Sequence, residues 1–155
     1  MEEKELKKIK KTLEELLDSM GFECEVEMQE NDDDSSLFNI LVSSDSNILI
    51  GQYGANLNAL QHLARLLVRR KIEEKARFAI DINSYRQQKS QSIISEAQTT
   101  AKQVIAEKKA VAMKPMTAYE RRLVHMELSE NDEVSTDSLG EGEERRIIIK
   151  PVSTI

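Results

Sequence analysis

The decapeptide Ile48-Leu49-Ile50-Gly51-Gln52-Tyr53-Gly54-Ala55-Asn56-Leu57 limits most sharply how this chain can fold. An apolar run meets two glycines separated by two neutral residues, and a helical pattern follows at once. Glycine carries no side chain and tolerates positive φ, so the backbone can turn tightly there and approach another molecule closely. A helix opened by Gly54 would leave amides unpaired at its start, pointing out of the bend and suited to an anionic oxygen such as a phosphate. The same spacing also occurs in ordinary turns between two helices, because short motifs match by chance. The flanking segments decide between the two.

Upstream, Leu6, Ile9, Leu13, Leu16, Leu17 and Met20 recur at helical spacing and predict an amphipathic helix over Glu2 to Ser19, ended by Gly21. Phe22, Cys24, Val26 and Met28 alternate with Glu23, Glu25, Glu27 and Gln29, the period of a half-buried strand with an acidic outer face. An acidic turn is expected over Asn31 to Ser36. Leu37 to Val42, apolar on both sides, reads as a central strand, and Asp45 or Ser46 stands where it would cap a short helix leading to Gly51. After the glycines, Leu57, Leu60, Leu63, Ala64, Leu66, Leu67 and Val68 form a broad apolar face, with Asn58, His62, Arg65 and Arg69 on the opposite stripe. Phe78, Ile80 and Ile82 then mark a third strand.

This order of helix, strand, strand, helix, Gly-x-x-Gly, helix, strand resembles the type II KH domain, a three-stranded sheet with helices. In such domains the glycine loop clamps about four nucleotides of single-stranded backbone. The resemblance covers residues 1–83. Replacing Gly51 and Gly54 by Asp is expected to abolish that contact without unfolding the chain.

The next segment, Ser84 to Lys109, carries Ile93, Ile94, Ala97, Ala101, Val104 and Ile105 on one face and reads as a single connecting helix. Val111 to Pro115 is a short extended piece stopped by Pro115. Thr117-Ala118-Tyr119-Glu120 is a capping box, and the helix it opens contains Arg121-Arg122-Leu123-Val124-His125. Arg121 and His125, four apart, lie side by side with about 5–6 Å between their Cβ atoms. Together they offer a fork of donors and one ring nitrogen, which suits a phosphate or a sugar edge. The same spacing also describes a plain solvated helix face.

Charge supports a polyanionic ligand once it is divided along the chain. The net charge is −6, yet Ser46 to Met126 holds 14 basic and 6 acidic residues, between an N-terminal stretch with 5 and 14 and a C-terminal one with 3 and 8. A basic centre between acidic ends can hold a polynucleotide locally while discouraging indiscriminate association. Aromatics make up only 4% and Trp is absent, so stacking cannot be the main grip. Two histidines and one cysteine supply no zinc cluster, and no Ser, Cys or carboxylate stands at a spacing that would activate His125 for nucleophilic catalysis. No catalytic residue, metal ligand or cofactor is expected, and Cys24 reads as a buried, inert thiol. Met1 to Lys11 lacks the apolar core of a signal peptide, and no run of about eighteen apolar residues occurs, so a cytoplasmic chain without membrane insertion is expected.

Lys114 to His125 followed by Ser138 to Ile149, with Gly140 and Gly142 between, resembles the domain family named for an Arg, three residues and a His. With a KH domain in front, the pair resembles the bacterial Jag family, also called SpoIIIJ-associated proteins or KhpB, over nearly the whole chain. The resemblance implies an α+β fold: the KH domain at 1–83, the connecting helix at 84–109, and at 110–155 a small α+β domain. In that domain Ala110 to Pro115, Glu133 to Ser138 and Arg145 to Lys150 would form a three-stranded antiparallel sheet. It further implies a non-catalytic binder of single-stranded RNA. That protein would act post-transcriptionally, would be linked to cell-envelope growth or division, and would pair with a small partner KH protein; a homodimer is left open. The nucleic-acid-binding residues it points to are Gly51, Gln52, Tyr53, Gly54, Lys114, Arg121, Arg122 and His125. Two departures matter. Many members carry a further small N-terminal domain, so functions tied to it are not carried over. Many also carry a basic residue within the glycine loop, where Gln52 and Tyr53 are neutral, which shifts weight to Arg121 with Arg122 and Lys114, or to stacking by Tyr53. Two alternatives stay open: a docking or dimerisation module with residual RNA binding, and a single-stranded DNA binder.

Overall fold

The computed structural model describes residues 1–30, 35–72 and 75–153. The chain divides into two compact units, Met1–Arg86 and Gln87–Ile155, each with its own apolar core. Most of the acidic turn expected over Asn31 to Ser36 lies outside the described residues.

In the first unit α1 (Glu3–Ser19) buries Leu6, Ile9, Leu13 and Leu17, the three- and four-residue spacing of one helical stripe. Gly21, at φ 85°, turns the chain out of it. β1 (Cys24–Glu30) pairs antiparallel with β2 (Ser36–Val42), from Cys24↔Val42 to Glu30↔Ser36, and β2 pairs parallel with β3 (Phe78–Ile82). The order β1-β2-β3 makes β2 central, as its two-sided apolar pattern predicts. Between β2 and β3 come α2 (Ser46–Ile50), a 3-10 turn at Gln52–Gly54 and α3 (Ala55–Lys71). Buried Gln61 fastens α3 to β3: its Oε1 accepts from the Ile80 amide at 2.6 Å and its Nε2 donates to the Phe78 carbonyl at 3.4 Å.

α3 departs from the expected wheel. The buried positions are Leu57, Leu60, Gln61, Ala64 and Val68, whereas Leu63 and Leu66 are 42% and 46% exposed. Leu66 follows Leu57 by nine residues, two and a half turns, and so falls on the far side at about 3.6 residues per turn. Asn58, His62, Arg65 and Arg69 occupy a flank of the helix rather than its back.

α4 (Tyr85–Glu107) starts one residue later than its polar first turn suggests, because Asn83 and Ser84 are both left-handed, at φ 48° and 56°. Asn83 pairs with the Val42 amide and carbonyl at 2.9 and 3.0 Å, and Asn39 accepts from the Ser84 amide at 3.0 Å. Farther along, α4 gives Ala97, Ala101 and Val104 to the core of the second unit. There β4 (Val111–Ala112), β6 (Arg146–Pro151) and β5 (Val134–Leu139) form an antiparallel sheet in the order β4-β6-β5, against which α5 (Ala118–Leu128) packs Val124 and Leu128. Both units are α+β with three-stranded sheets, as expected. β4 is shorter than Ala110 to Pro115, but Met113 and Met116 still donate their amides to Ile147 and Arg145 at 2.8 and 3.1 Å.

Candidate nucleic-acid interface

The glycine loop is built from within. Gly51 closes α2 by donating to the Asn47 carbonyl at 2.9 Å, Gly54 donates to the Gly51 carbonyl at 3.3 Å, and the Ala55 amide goes to the Gln52 carbonyl. The outward display of amides expected at the helix start is therefore reduced, since these three are engaged in the turn itself. Both glycines have left-handed φ, 71° and 79°. A Cβ on Gly51 would lie 2.6 Å from Cγ of Asn56, whose Nδ2 donates to the Ile48 carbonyl at 2.7 Å. A Cβ on Gly54 would stand 3.3 Å from the Tyr85 ring. The expectation that Asp at both positions leaves the fold intact is overturned: the conformation and the Asn56 brace both exclude a side chain at Gly51. Tyr53 at the tip is left-handed too, at φ 56°, and it is 78% exposed. Exposed Asn58, His62, Arg65 and Arg69 continue from the loop along α3. Arg86, which sequence reasoning passed over, joins them by donating from Nη2 to Asn58 Oδ1 at 2.9 Å.

In the second unit α5 opens with the predicted capping box. The Thr117 amide donates to Glu120 Oε2 at 2.9 Å, and the Glu120 amide donates to Thr117 Oγ1 at 3.3 Å. Glu120 is buried and meets Lys89 Nζ at 2.9 Å. Burial pushes its carboxyl up, but the bonds from Thr117 and the Lys89 ammonium outweigh that and hold it below the ordinary value. This fixed helix start sets the position of Arg121 and His125. Arg121 is half-buried and donates from Nη1 to the Met116 carbonyl at 2.7 Å. His125 Nδ1 lies 2.6 Å from Thr136 Oγ1 on β5. When the Thr136 hydroxyl donates in that bond, Nε2 carries the ring proton and serves as a donor toward a ligand. Arg122 is exposed one step farther round the helix, and exposed Lys114 lies 4.0 Å from Glu96 Oε1. The loop residues thus belong to the first unit, and Lys114, Arg121, Arg122 and His125 to the second.

Thr136, Ser138 and Arg145 escape a reading by sequence spacing. Arg145 donates from Nε to Ser138 Oγ at 2.9 Å, and its carbonyl accepts the Met116 amide at 3.1 Å. Asp137 meets Lys150 Nζ at 2.9 Å; that bond and charge, with a lesser pull from His125, hold its carboxyl below the ordinary value. Cys24 is half-buried, and burial, then Glu14 and Asp18, push its thiol up, which suits an inert residue. Among the described residues no three His, Cys, Asp or Glu side chains group as a metal site, and no helix is long and apolar enough to cross a membrane.

Comparison with known proteins agrees with this geometry. The pattern of the Arg-x-x-x-His domain matches residues 91–151. Along 88% of its length the chain is 31% identical to the RNA-binding protein KhpB of Clostridium symbiosum, covering 62% of that protein. It is 34% identical over 66% of its length to RNA-binding protein KhpB of Lactiplantibacillus plantarum, covering 32% of it. To RNA-binding protein KhpB of Bacillus subtilis it is 35% identical over 66% of its length, covering 50%. The chain therefore spans from about a third to about three fifths of these relatives. With its Arg121 and His125 inside the matched domain segment and KhpB proteins aligned along most of its length, the chain belongs to the Jag/KhpB family.

Proposed function

We propose that the chain binds single-stranded RNA without catalysing a reaction on it. The observation that carries this reading is the pair Arg121 and His125. The two sit one turn apart within the matched Arg-x-x-x-His segment, and each is oriented by a neutral carbonyl or hydroxyl that leaves its remaining donors for a ligand. The Gly51 to Gly54 loop is the second contact, with Gln52 and Tyr53 at its surface and the Asn58 to Arg69 flank of α3 beyond it. Arg122 and Lys114 add charge near the first contact. The relatives' name, RNA-binding protein, supports RNA as the ligand class. The family resemblance further suggests a cytoplasmic post-transcriptional role linked to cell-envelope growth or division, alongside a small partner KH protein.

The test is fluorescence anisotropy with a labelled, unstructured RNA oligomer. Arg121→Ala with His125→Ala should weaken binding roughly tenfold or more, since hydrogen bonds to charged groups contribute about 1.5–3 kcal/mol each. Unchanged affinity in a folded double variant removes this face from the reading. Competition by a DNA oligomer of the same sequence separates the RNA and DNA readings, because no residue at either contact is shown reading a 2′-hydroxyl. A second reading, docking of the first unit on another protein, is favoured by the exposure of Leu63 and Leu66 on α3. Partners that survive nuclease treatment in a pull-down would support it, and partners that vanish would support an RNA tether.

A further inference from the structure

The partners of the cations in the second unit sort them into two groups. Arg146 meets Glu144 at 3.0 Å, Lys150 meets Asp137 at 2.9 Å and Lys89 meets Glu120 at 2.9 Å, so these charges are matched by carboxylates. Arg121, His125 and Arg145 are held by neutral groups instead: the Met116 carbonyl, the Thr136 hydroxyl and the Ser138 hydroxyl. Among the described residues none of the three has a carboxylate within salt-bridge distance. A cation pinned in place by a neutral partner keeps its charge unmatched and its remaining N–H groups aimed, which is what a phosphate oxygen requires.

The three also converge. Thr136 and Ser138 are two apart on β5 and so share one face, with about 7 Å between them along the strand. One hydroxyl holds His125 of α5 and the other holds Arg145. On the other side, the Met116 peptide gives its carbonyl to Arg121 and its amide to the Arg145 carbonyl. Two side chains read from sequence are thereby joined by a third that lies twenty residues on, just before β6. The spacing along β5 is of the order of one step between successive phosphates of an extended strand.

Resting on the RNA reading above, we propose that Arg145 is a direct phosphate ligand, and that the second unit grips adjacent phosphates of one strand, with Arg121 and His125 on one and Arg145 on its neighbour. Asp137, the acid between Thr136 and Ser138 on β5, is held by Lys150 and leaves the grip cationic. Arg146, next in sequence and tied to Glu144, serves as the internal control.

The experiment measures the affinity of the full chain for a labelled oligouridylate as a function of KCl. Each phosphate neutralised on a single strand contributes about −0.7 to the slope of log K against log salt. Arg145→Gln should weaken binding roughly tenfold in dilute salt and flatten the slope by about 0.7, whereas Arg146→Gln should leave the slope as it is. Arg145→Lys keeps the charge but loses the Nε bond to Ser138, so it should keep the slope and lose part of the affinity. Wild-type slope in a folded Arg145→Gln variant overturns the assignment, as does an Arg145→Lys variant that behaves like Arg145→Gln. A wild-type chain that binds no oligomer even in dilute buffer sinks the RNA reading itself and this inference with it.

Discussion

At the scale of single residues, the glycine loop is conditioned as much by what fills it as by what it displays. Asn56 occupies the space beside Gly51 and braces the Ile48 carbonyl, so Gly51 is required by packing as well as by its φ. Substitution there reports on stability before it reports on binding. Tyr53 is the better probe, because an exposed aromatic residue held left-handed at φ 56° sits in a conformation costing about 1–2 kcal/mol for most side chains. Asn tolerates that region more readily. Tyr53→Asn is therefore expected to raise the unfolding free energy by up to about 1 kcal/mol while lowering RNA affinity by the roughly 1–3 kcal/mol that a base stacked on an aromatic ring contributes. Paired denaturation and anisotropy titrations check it. Two changes of the same sign, or no change in affinity, would show that the strained ring does not serve binding.

At the scale of elements, α5 shows what sequence can and cannot deliver. Its start at Thr117, its capping box and the side-by-side placement of Arg121 and His125 were legible, because all depend on spacing within one helix. The groups that orient them were not. Thr136 is eleven residues from His125, and Arg145 meets Ser138 across the β5 to β6 turn, so these contacts exist only once helix and strands have packed. Leu63 and Leu66 were misplaced for a related reason: a helix that is apolar on more than half its girth does not announce which side will be covered. The Lys89 to Glu120 contact belongs to the same class, a residue of α4 closing a cap on α5. Because the folded-state pKa of Glu120 is lowered, its stabilisation is full above the ordinary carboxyl value of 4.5 and is lost as pH falls through the lowered one. Glu120→Gln should cost about 1–2 kcal/mol near neutral pH, by loss of the charged cap and ion pair. Thermal melts of both proteins from neutral pH downward should show that difference shrinking below about pH 4.5. A gap that persists unchanged in acid would assign the effect to packing.

For the molecule as a whole, the two proposed contacts share one chain, and the basic residues that serve them fall in its middle stretch, between acidic ends. Each contact on its own is modest: a turn with few unspent amides in the first unit, and a small cluster of oriented cations in the second. Affinity in such a protein comes from joining them, since a strand held by one site is presented to the other at high effective concentration, provided it is long enough to reach. That condition makes RNA length the informative variable. Oligomers of about four nucleotides fill a single glycine-loop site and should bind weakly to the wild-type chain. Affinity should then rise by a factor between about ten and several hundred once the strand spans both sites, and level off beyond that length. Weakening the first contact by Gln52→Glu with Tyr53→Asn should remove most of this rise while leaving binding through the Arg121 face to short oligomers. Weakening the second by Arg121→Ala should remove the same rise from the other end. A wild-type affinity that grows only in proportion to the number of binding registers, with no step, would mean that the two units bind independently and that linkage contributes nothing.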